Sequence, residues 1–432
     1  MKDSNVRSQG RARSAGRLAS LLFLGLTGVA AATVPTACQR SVPDENVTGA
    51  QSSSAASTGA GTGTGTITDE TFTKAALLEA AAECAIGRYG EFESLALALR
   101  DSAGAFAADR TEANAAAARG AWIAAMASWQ EAEVFRFGPA ARSGEPGGLD
   151  LRDQIYGWPL VSRCKIEEQI VSQVYAGPDF PQTLINSRGL AAYEYLLFYE
   201  GTDNACSEFS VINAQGTWAA LAPEELAQRK ADYAAAVAAD IHARAGALVQ
   251  AWDPASGNFR KQLVEAGKGS EVFATDQEAL NAVSDALFYV EKELKDWKLG
   301  KPLGLIECLT PTCPEAVESP YARVSTAHMK ANLAGFRRLF QGCGSYGTGL
   351  GFDDWLRAVG AGELADAMLD ALAKAQASVD SLDPPMEEAI VSDVPKVQAV
   401  HAAVKGLTDQ LKTDMVTVLN LELPKTSEGD ND

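Results

Sequence analysis

Helical periodicity is the feature that most constrains the fold of this 432-residue chain. Apolar residues recur three or four positions apart over long stretches, as they do on the buried face of an α-helix. The clearest stripes consist of Trp122, Met126 and Trp129; of Leu226, Tyr233, Val237, Ile241 and Leu248; of Leu280, Val283, Leu287 and Leu294; and of Val397, Val400, Val404, Leu407, Leu411 and Val418. Alternating strand patterns are scarce. The sequence therefore predicts an all-α fold built from up-and-down helical bundles.

Breaks in this periodicity predict the boundaries of domains and helices. The polar stretch 201–218 interrupts the helices near mid-chain, so we expect an N-terminal helical bundle over 68–210 and a C-terminal one over 211–432. Glycines and a proline over 299–304 predict irregular structure. Ser319 followed by Pro320 has the pattern of a helix start, which predicts a helix running through Phe336 and Phe340.

Charged residues lie on two of the apolar stripes. Glu133 and Arg136 continue the spacing of the tryptophan stripe, and Glu194 lies four residues after Leu190 and three before Leu197. A buried carboxylate costs several kcal/mol, on the order of 5, unless it is paired or binds a ligand. Two interpretations stay open: a structural ion pair, either Glu133 with Arg136 or Glu194 with an arginine, and a ligand or cation site formed by acids of facing helices.

Four blocks of sequence at these places resemble the imelysin-like family of bacterial cell-envelope proteins. They cover residues 121–139, 153–159, 188–198 and 318–321, and weaker similarities occur at 301–304 and 428–430. The resemblance implies a two-domain, all-helical fold with a site in the cleft between the domains. It also implies an association with iron uptake, and the family was named for a proposed peptidase activity.

The family's Gly-x-His-x-x-Glu motif falls on Gly189, Ala191 and Glu194, so the motif histidine is absent. Glu194 is then the one metal ligand that the motif supplies, and an oxygen-rich site for iron or another divalent cation would need further acids. We predict no catalytic residue. The predicted ligand-binding residues are Glu133, Arg136, Asp153, Trp158, Glu194 and Tyr321.

Standard catalytic patterns are missing elsewhere as well. No zinc-protease, nucleophile-elbow or nucleotide-binding motif occurs, and His242, His328 and His401 are far apart in sequence. Three hypotheses follow: a non-enzymatic ligand- or metal-binding protein linked to iron uptake, a metallopeptidase, and a purely structural or interaction protein. The first is preferred.

The N-terminus predicts export. A basic leader precedes an apolar run from Leu18, and residues 1–37 have the layout of a signal peptide. Ala37 before Cys38 resembles a lipobox, at which Cys38 is lipidated; plain secretion and a retained anchor are the alternatives. Residues 38–67 are rich in Ser, Thr, Gly and Ala and predict a flexible tether. With Gln39 after the cysteine, we expect a periplasmic lipoprotein of the outer membrane.

Charge limits the partners. The formal net charge is −19, and removing residues 1–37 leaves 32 basic and 55 acidic residues, or about −23. Such an acidic protein repels nucleic acids and anionic lipid surfaces. We therefore expect contact with the membrane through the lipid anchor alone, no nucleic-acid partner, and partners among iron-uptake components.

Six cysteines remain after Cys38, which allows fifteen pairings. Cys308 and Cys313 are five residues apart in a proline-containing loop, which favours a local disulfide over a metal site because no histidine is near.

Overall fold

The computed structural model describes residues 72–344 and 349–425. The predicted signal peptide, the Cys38 lipidation site, the tether and the similarity at 428–430 lie outside the described residues. The described part contains helices and turns and no β-strand, which confirms the all-α prediction. None of its helices is both long and apolar enough to cross a membrane.

Three long helices form the centre of the molecule. They are α1 (Lys74–Ala108), α2 (Glu112–Ala132) and α7 (Pro223–Trp252), and α1 packs along both of the others. Alanines on the buried faces allow close approach, and aromatic rings fill the remaining space, as where Phe92 meets Trp129 at a centroid distance of 4.6 Å. Thr73 and Thr111 cap α1 and α2 by accepting hydrogen bonds from backbone N–H groups three residues ahead.

Short helices occupy the segment between α2 and α7. They are α3 (Leu151–Tyr156), α4 (Arg163–Ser172), α5 (Leu190–Phe198) and α6 (Val211–Ala214). A 3-10 turn at Gly138–Ala140 precedes α3, and three more, at Val174–Ala176, Phe180–Gln182 and Ile185–Ser187, lie between α4 and α5. Apart from α6, the stretch 201–218 is irregular, as its lack of periodicity predicts.

The C-terminal part contains two π-helices as well as α-helices. Its elements are α8 (Phe259–Val264), α9 (Asp276–Leu287), the π-helix Val290–Gly300, α10 (Ser325–Gln341), α11 (Phe352–Ala358), α12 (Gly362–Asp380), α13 (Met386–Ser392), α14 (Val394–Gln410), the π-helix Leu411–Met415 and α15 (Val416–Leu419). A further 3-10 turn covers Pro314–Ala316. Because residues 299 and 300 end a π-helix, the prediction of irregular structure from 299 is wrong by two residues.

The predicted helix start at Ser319 is also wrong. α10 begins at Ser325, six residues later, and Ser319 precedes a turn. Arg323 within this turn has φ +61°, in the left-handed region, which ends any helical run from Pro320. Glu194 of α5 accepts the N–H groups of Tyr321 and Ala322, so a tertiary contact holds the turn.

Three disulfides cross-link the described residues: Cys84–Cys343, Cys164–Cys206 and Cys308–Cys313. The last confirms the local pairing predicted from spacing. All of the described residues belong to one compact unit. The boundary predicted after residue 210 stays a prediction.

Candidate functional site

Two of the sequence blocks meet through their glycines. Gly157 and Gly189 both have positive φ, at +76° and +84°. A Cβ on Gly189 would lie 2.8 Å from the carbonyl carbon of Tyr156, and one on Gly157 would lie 2.6 Å from the carbonyl oxygen of Arg188. Both positions therefore require glycine, and this close contact fixes the start of α5.

Glu194 lies in the second turn of α5 and is buried. Its Oε1 accepts hydrogen bonds from the backbone N–H groups of Tyr321 (3.0 Å) and Ala322 (2.9 Å), and its Oε2 accepts one from Ser319 Oγ (3.2 Å). Within the described part of the chain, no cationic group lies within ion-pair distance of this carboxylate. The predicted Glu194–arginine pair is therefore not formed.

Burial dominates the ionisation of Glu194. It raises the pKa of this carboxyl to about 8, although the hydrogen bonds from Ala322, Tyr321 and Ser319 act in the opposite direction. The negative charge of nearby Glu318 makes a smaller contribution to this raised pKa. Glu194 is thus a carboxyl whose charge the fold does not neutralise.

A cavity of about 230 Å³ opens beside Glu194. Its aromatic walls are Trp158, Tyr195, Trp297 and Tyr321, and Ala191 lies in the wall at the position of the missing motif histidine. The charged side chains of its lining are Arg163, Glu194, Lys301, Glu315 and Glu318. The walls come from both sides of the predicted boundary after residue 210. Trp158, Glu194 and Tyr321, predicted from sequence as ligand-binding residues, meet here.

Glu318, also in the lining, has very different surroundings. Its Oε1 lies 2.8 Å from Lys298 Nζ and accepts hydrogen bonds from Gln130 Nε2 (2.9 Å) and from the Tyr156 hydroxyl, while its Oε2 lies 3.3 Å from His328 Nδ1. Burial opposes ionisation, but Lys298 and His328 outweigh it and hold the pKa of Glu318 well below its usual range.

The other predicted residues lie in an ion-pair network next to the cavity. Glu133 pairs with Arg152, whose Nη2 is 2.9 Å from Oε2, and it also accepts a hydrogen bond from the Tyr289 hydroxyl (2.6 Å). Asp153 contacts the same arginine at 2.8 Å. The Glu133–Arg136 pair considered from sequence is not formed, because α2 ends at Ala132 and the chain turns.

Arg136 instead pairs with Glu293 of the π-helix Val290–Gly300. Lys298 of the same π-helix links the network to the cavity, since its Nζ is 3.6 Å from Glu133 Oε1 and 2.8 Å from Glu318 Oε1. The cavity is therefore not lined by Glu133, Arg136 or Asp153, which belong to the adjacent ion-pair network.

Sequence reasoning missed three members of this region. Arg152 and Lys298 gave no signal, since a basic residue inside a helical segment is ordinarily solvent-exposed. His328 lies three places after Ser325, and its distance in sequence from the other histidines gave no reason to select it. It is buried on α10 against Glu318, so the pairing depends on tertiary structure.

The donor set at Glu194 does not fit a preformed metal centre. Of the two other acids of the cavity, Glu315 and Glu318, the second is already neutralised by Lys298 and His328. In the described ranges, the one group of three Cys, His, Asp or Glu ligand atoms within 4.8 Å of each other is Cys164, Glu168 and Cys206, whose two sulfurs form a disulfide. Three or more protein ligands are usual for a dedicated transition-metal site.

A larger cavity of about 540 Å³ lies between α2, α10 and α12. Its two acids are both neutralised: Arg338 lies 2.8 Å from Glu131, and Lys330 lies 2.9 Å from Asp380. The smaller cavity at Glu194 is the better candidate, because a carboxyl without a cation lines it.

Comparisons with known proteins agree with this architecture. The iron-regulated protein A of Synechococcus elongatus is 25% identical over 313 residues, which are 72% of this chain and 76% of that protein. A crystal structure from Parabacteroides distasonis, described as an iron-regulated protein A precursor, has a TM-score of 0.63 at 16% identity and covers 81% of this chain and 96% of its own. An imelysin-like protein from Psychrobacter arcticum has a TM-score of 0.59 at 18% identity, with 83% and 98% covered.

At these identities the two crystal structures establish the fold alone. The assignment to a family comes from the sequence model described as Imelysin, which matches residues 85–413 and so covers most of the chain. This protein belongs to the imelysin family.

Proposed function

We propose that this imelysin-family protein is a non-enzymatic binding protein of the cell envelope, and that its ligand places a positively charged group against Glu194. The observation that carries the proposal is a buried carboxyl in a cavity wall, with no cation from the described residues to neutralise it. A cationic group would supply the missing charge. Lys298, Arg163 and Lys301 already lie over the rings of Trp158, Tyr195 and Trp297, so Glu194 itself, and not the aromatic walls, carries the attraction.

Peptidase chemistry has less support. Ala191 removes the motif histidine, and the acids next to Glu194 do not assemble a metal centre. A relative is named for iron regulation. We therefore connect the bound cation with iron supply, through partners among iron-uptake components, and the cation is either a metal ion or an organic ammonium group.

Calorimetric titration separates these two sources of positive charge. Ferrous, ferric, zinc and calcium ions form one arm at pH 8, and benzylammonium forms the other. We expect one arm to bind the wild type and to bind Glu194→Gln at least about tenfold more weakly, a loss of ~1.4 kcal/mol. Glu208→Gln, which removes an exposed acid, is the matched control and should bind like wild type.

The pH dependence adds a second criterion in the ammonium arm. Because the pKa of Glu194 is about 8, its carboxyl carries a proton at pH 6, and affinity for benzylammonium should rise between pH 6 and pH 8. Equal affinities in wild type and Glu194→Gln, or no binding in either arm, would refute the proposal.

A second candidate rests on the three hydrogen bonds to Glu194. They hold the turn after Ser319, so the carboxyl also has a purely structural explanation. In that case Glu194 stabilises the packing of α5 against this turn, and neither arm of the titration shows binding.

The membrane location is a separate proposal. We propose that lipidation at Cys38 anchors the protein to the outer membrane. Wild-type protein should then appear in the membrane fraction, and Cys38→Ala should appear in the soluble fraction. Soluble wild-type protein would contradict the anchor and would leave the cavity proposal intact.

A further inference from the structure

Lys230 is a buried cation that lines a different cavity from Glu194, although Tyr195 is next to both residues. It is on α7 with 8% of its surface exposed, and its Nζ donates a hydrogen bond to the backbone carbonyl of Tyr199. The ring centroids of Tyr195 and Tyr199 lie 5.1 and 5.3 Å from Nζ. In the portion of the chain that the structure covers, no carboxylate lies within ion-pair distance of this ammonium group.

Lys230 lines a third cavity, of about 190 Å³. The apolar part of its wall consists of Phe106, Leu196, Leu197, Pro223, Leu226, Ala227 and Ala231. Arg119 and Glu200 lie at the same cavity and pair with each other at 3.1 Å. Because Arg119 and Glu200 neutralise each other, Glu200 does not serve as a counter-ion for Lys230.

The groups facing Lys230 come from several elements. They are Arg163 and Glu167 of α4, Tyr195 of α5, and Glu200 and Asp203 of the loop after α5. Burial, with a smaller contribution from the charge of Arg163, lowers the pKa of Lys230 to about 8, although Glu167, Asp203 and Glu200 act in the opposite direction. These acids do not outweigh burial, because Arg163 pairs with Glu167 and Asp203, and Arg119 pairs with Glu200.

We propose that the Lys230 cavity binds a small organic carboxylate with a short apolar body. The carboxylate would pair with the ammonium group of Lys230, which lacks an acid partner, and the apolar body would pack against the aliphatic and phenyl wall. A buried charge is costly alone, and a counter-ion with hydrogen bonds removes much of this cost. This site is independent of the proposed function at Glu194.

Benzoate is the test ligand, and benzamide is its uncharged analogue of nearly the same shape. We expect the full-length protein to bind benzoate at pH 7 at least about tenfold more tightly than benzamide, a difference of ~1.4 kcal/mol. Above pH 8 the benzoate affinity should fall, because Lys230 loses its proton while benzoate stays charged.

Two further measurements identify the residue. Lys230→Met should lose the preference for benzoate over benzamide, whereas Lys165→Met, which removes an exposed lysine of α4, should keep it. In wild-type protein, ¹⁵N NMR of the lysine side chains should show the pKa of Lys230 rising as benzoate is added. This measurement decides the question even where Lys230→Met does not fold.

Three results would overturn the proposal. They are equal affinity for benzoate and benzamide, an unchanged preference in Lys230→Met, and an unshifted Lys230 resonance at the highest benzoate concentration. Each leaves the outcome at Glu194 unaffected, because none of these measurements involves that carboxyl.

Discussion

Glu318 and Glu194 are two buried carboxyls at one cavity, and their surroundings shift their pKa values in opposite directions. Lys298 and His328 neutralise Glu318, whereas Glu194 has hydrogen-bond donors but no cation. The pKa of Glu318 is accordingly below 4.5 and that of Glu194 is about 8. Divergent shifts in adjacent acids are typical of groups with different roles.

This difference gives the two acids opposite effects on stability, and it leaves Glu194 as the acid that a bound cation can neutralise. The charge of Glu318 is neutralised inside the fold, so its ionised form stabilises the protein above the unfolded pKa of 4.5, and this contribution is lost as the pH falls. Glu194 behaves in the opposite way: its protonated form is favoured in the folded state, and stability decreases as the pH rises from 4.5 to about 8. An external cation can compensate Glu194 and has nothing to compensate at Glu318.

The largest effect should come from removing the cation of Glu318. Lys298→Met leaves Glu318 buried with His328 as its remaining basic neighbour, and we expect a loss of about 3–5 kcal/mol in the free energy of unfolding. Urea denaturation at pH 7 measures it. Adding Glu318→Gln to this variant should restore part of the loss, because the uncompensated carboxylate is then absent.

The control for this experiment is Lys165→Met, whose lysine is exposed and pairs with Glu168 at the surface. It should change stability by less than about 0.5 kcal/mol. If Lys298→Met loses less than about 1 kcal/mol in the free energy of unfolding, Lys298 does not neutralise Glu318, and the contrast between Glu318 and Glu194 is wrong.

A smaller effect of opposite sign is expected at Glu194. Glu194→Gln keeps an acceptor for Tyr321 and Ala322 and removes the ionisation, so it should stabilise the protein by roughly 1–3 kcal/mol at pH 8. At pH 5 the gain should be close to zero. Urea denaturation at both pH values, with Glu208→Gln as control, measures the difference.

A loss of stability in Glu194→Gln at both pH values would reverse this interpretation. It would mean that the ionised carboxylate holds the turn after Ser319, and that the two acids are both structural.

The sequence predicted which charged residues are buried better than it predicted which residues they pair with. The all-α fold, the Cys308–Cys313 disulfide and the burial of Glu133 and Glu194 follow from spacing, because helical periodicity determines which face is inward. Partner choice does not follow from local pattern. Glu133 pairs with Arg152 from beyond the end of α2, and Lys298 reaches Glu318 from a π-helix, whose wider turn departs from the 3.6-residue period.

The predicted start of α10 was wrong for a related reason. Ser319 and Pro320 carry the local pattern of a helix start, but Glu194 takes the N–H groups that a new helix would leave exposed. The residue that decides this turn is more than a hundred positions away in sequence, so no local pattern could show it.

The smallest effect tests whether the two acids influence each other. The charge of Glu318 contributes to the raised pKa of Glu194, although less than burial does. Glu318→Gln removes this charge and leaves Lys298 with one acid fewer, and both changes favour the ionised form of Glu194. Its pKa should therefore fall below about 8 while staying above 4.5, because burial is unchanged. Carbon-13 NMR of the Glu194 carboxyl across pH 4 to 10 measures the shift, with Glu208→Gln as the distant control. An unchanged pKa would show that the two carboxyls titrate independently, so that the contrast between them comes entirely from their separate partners.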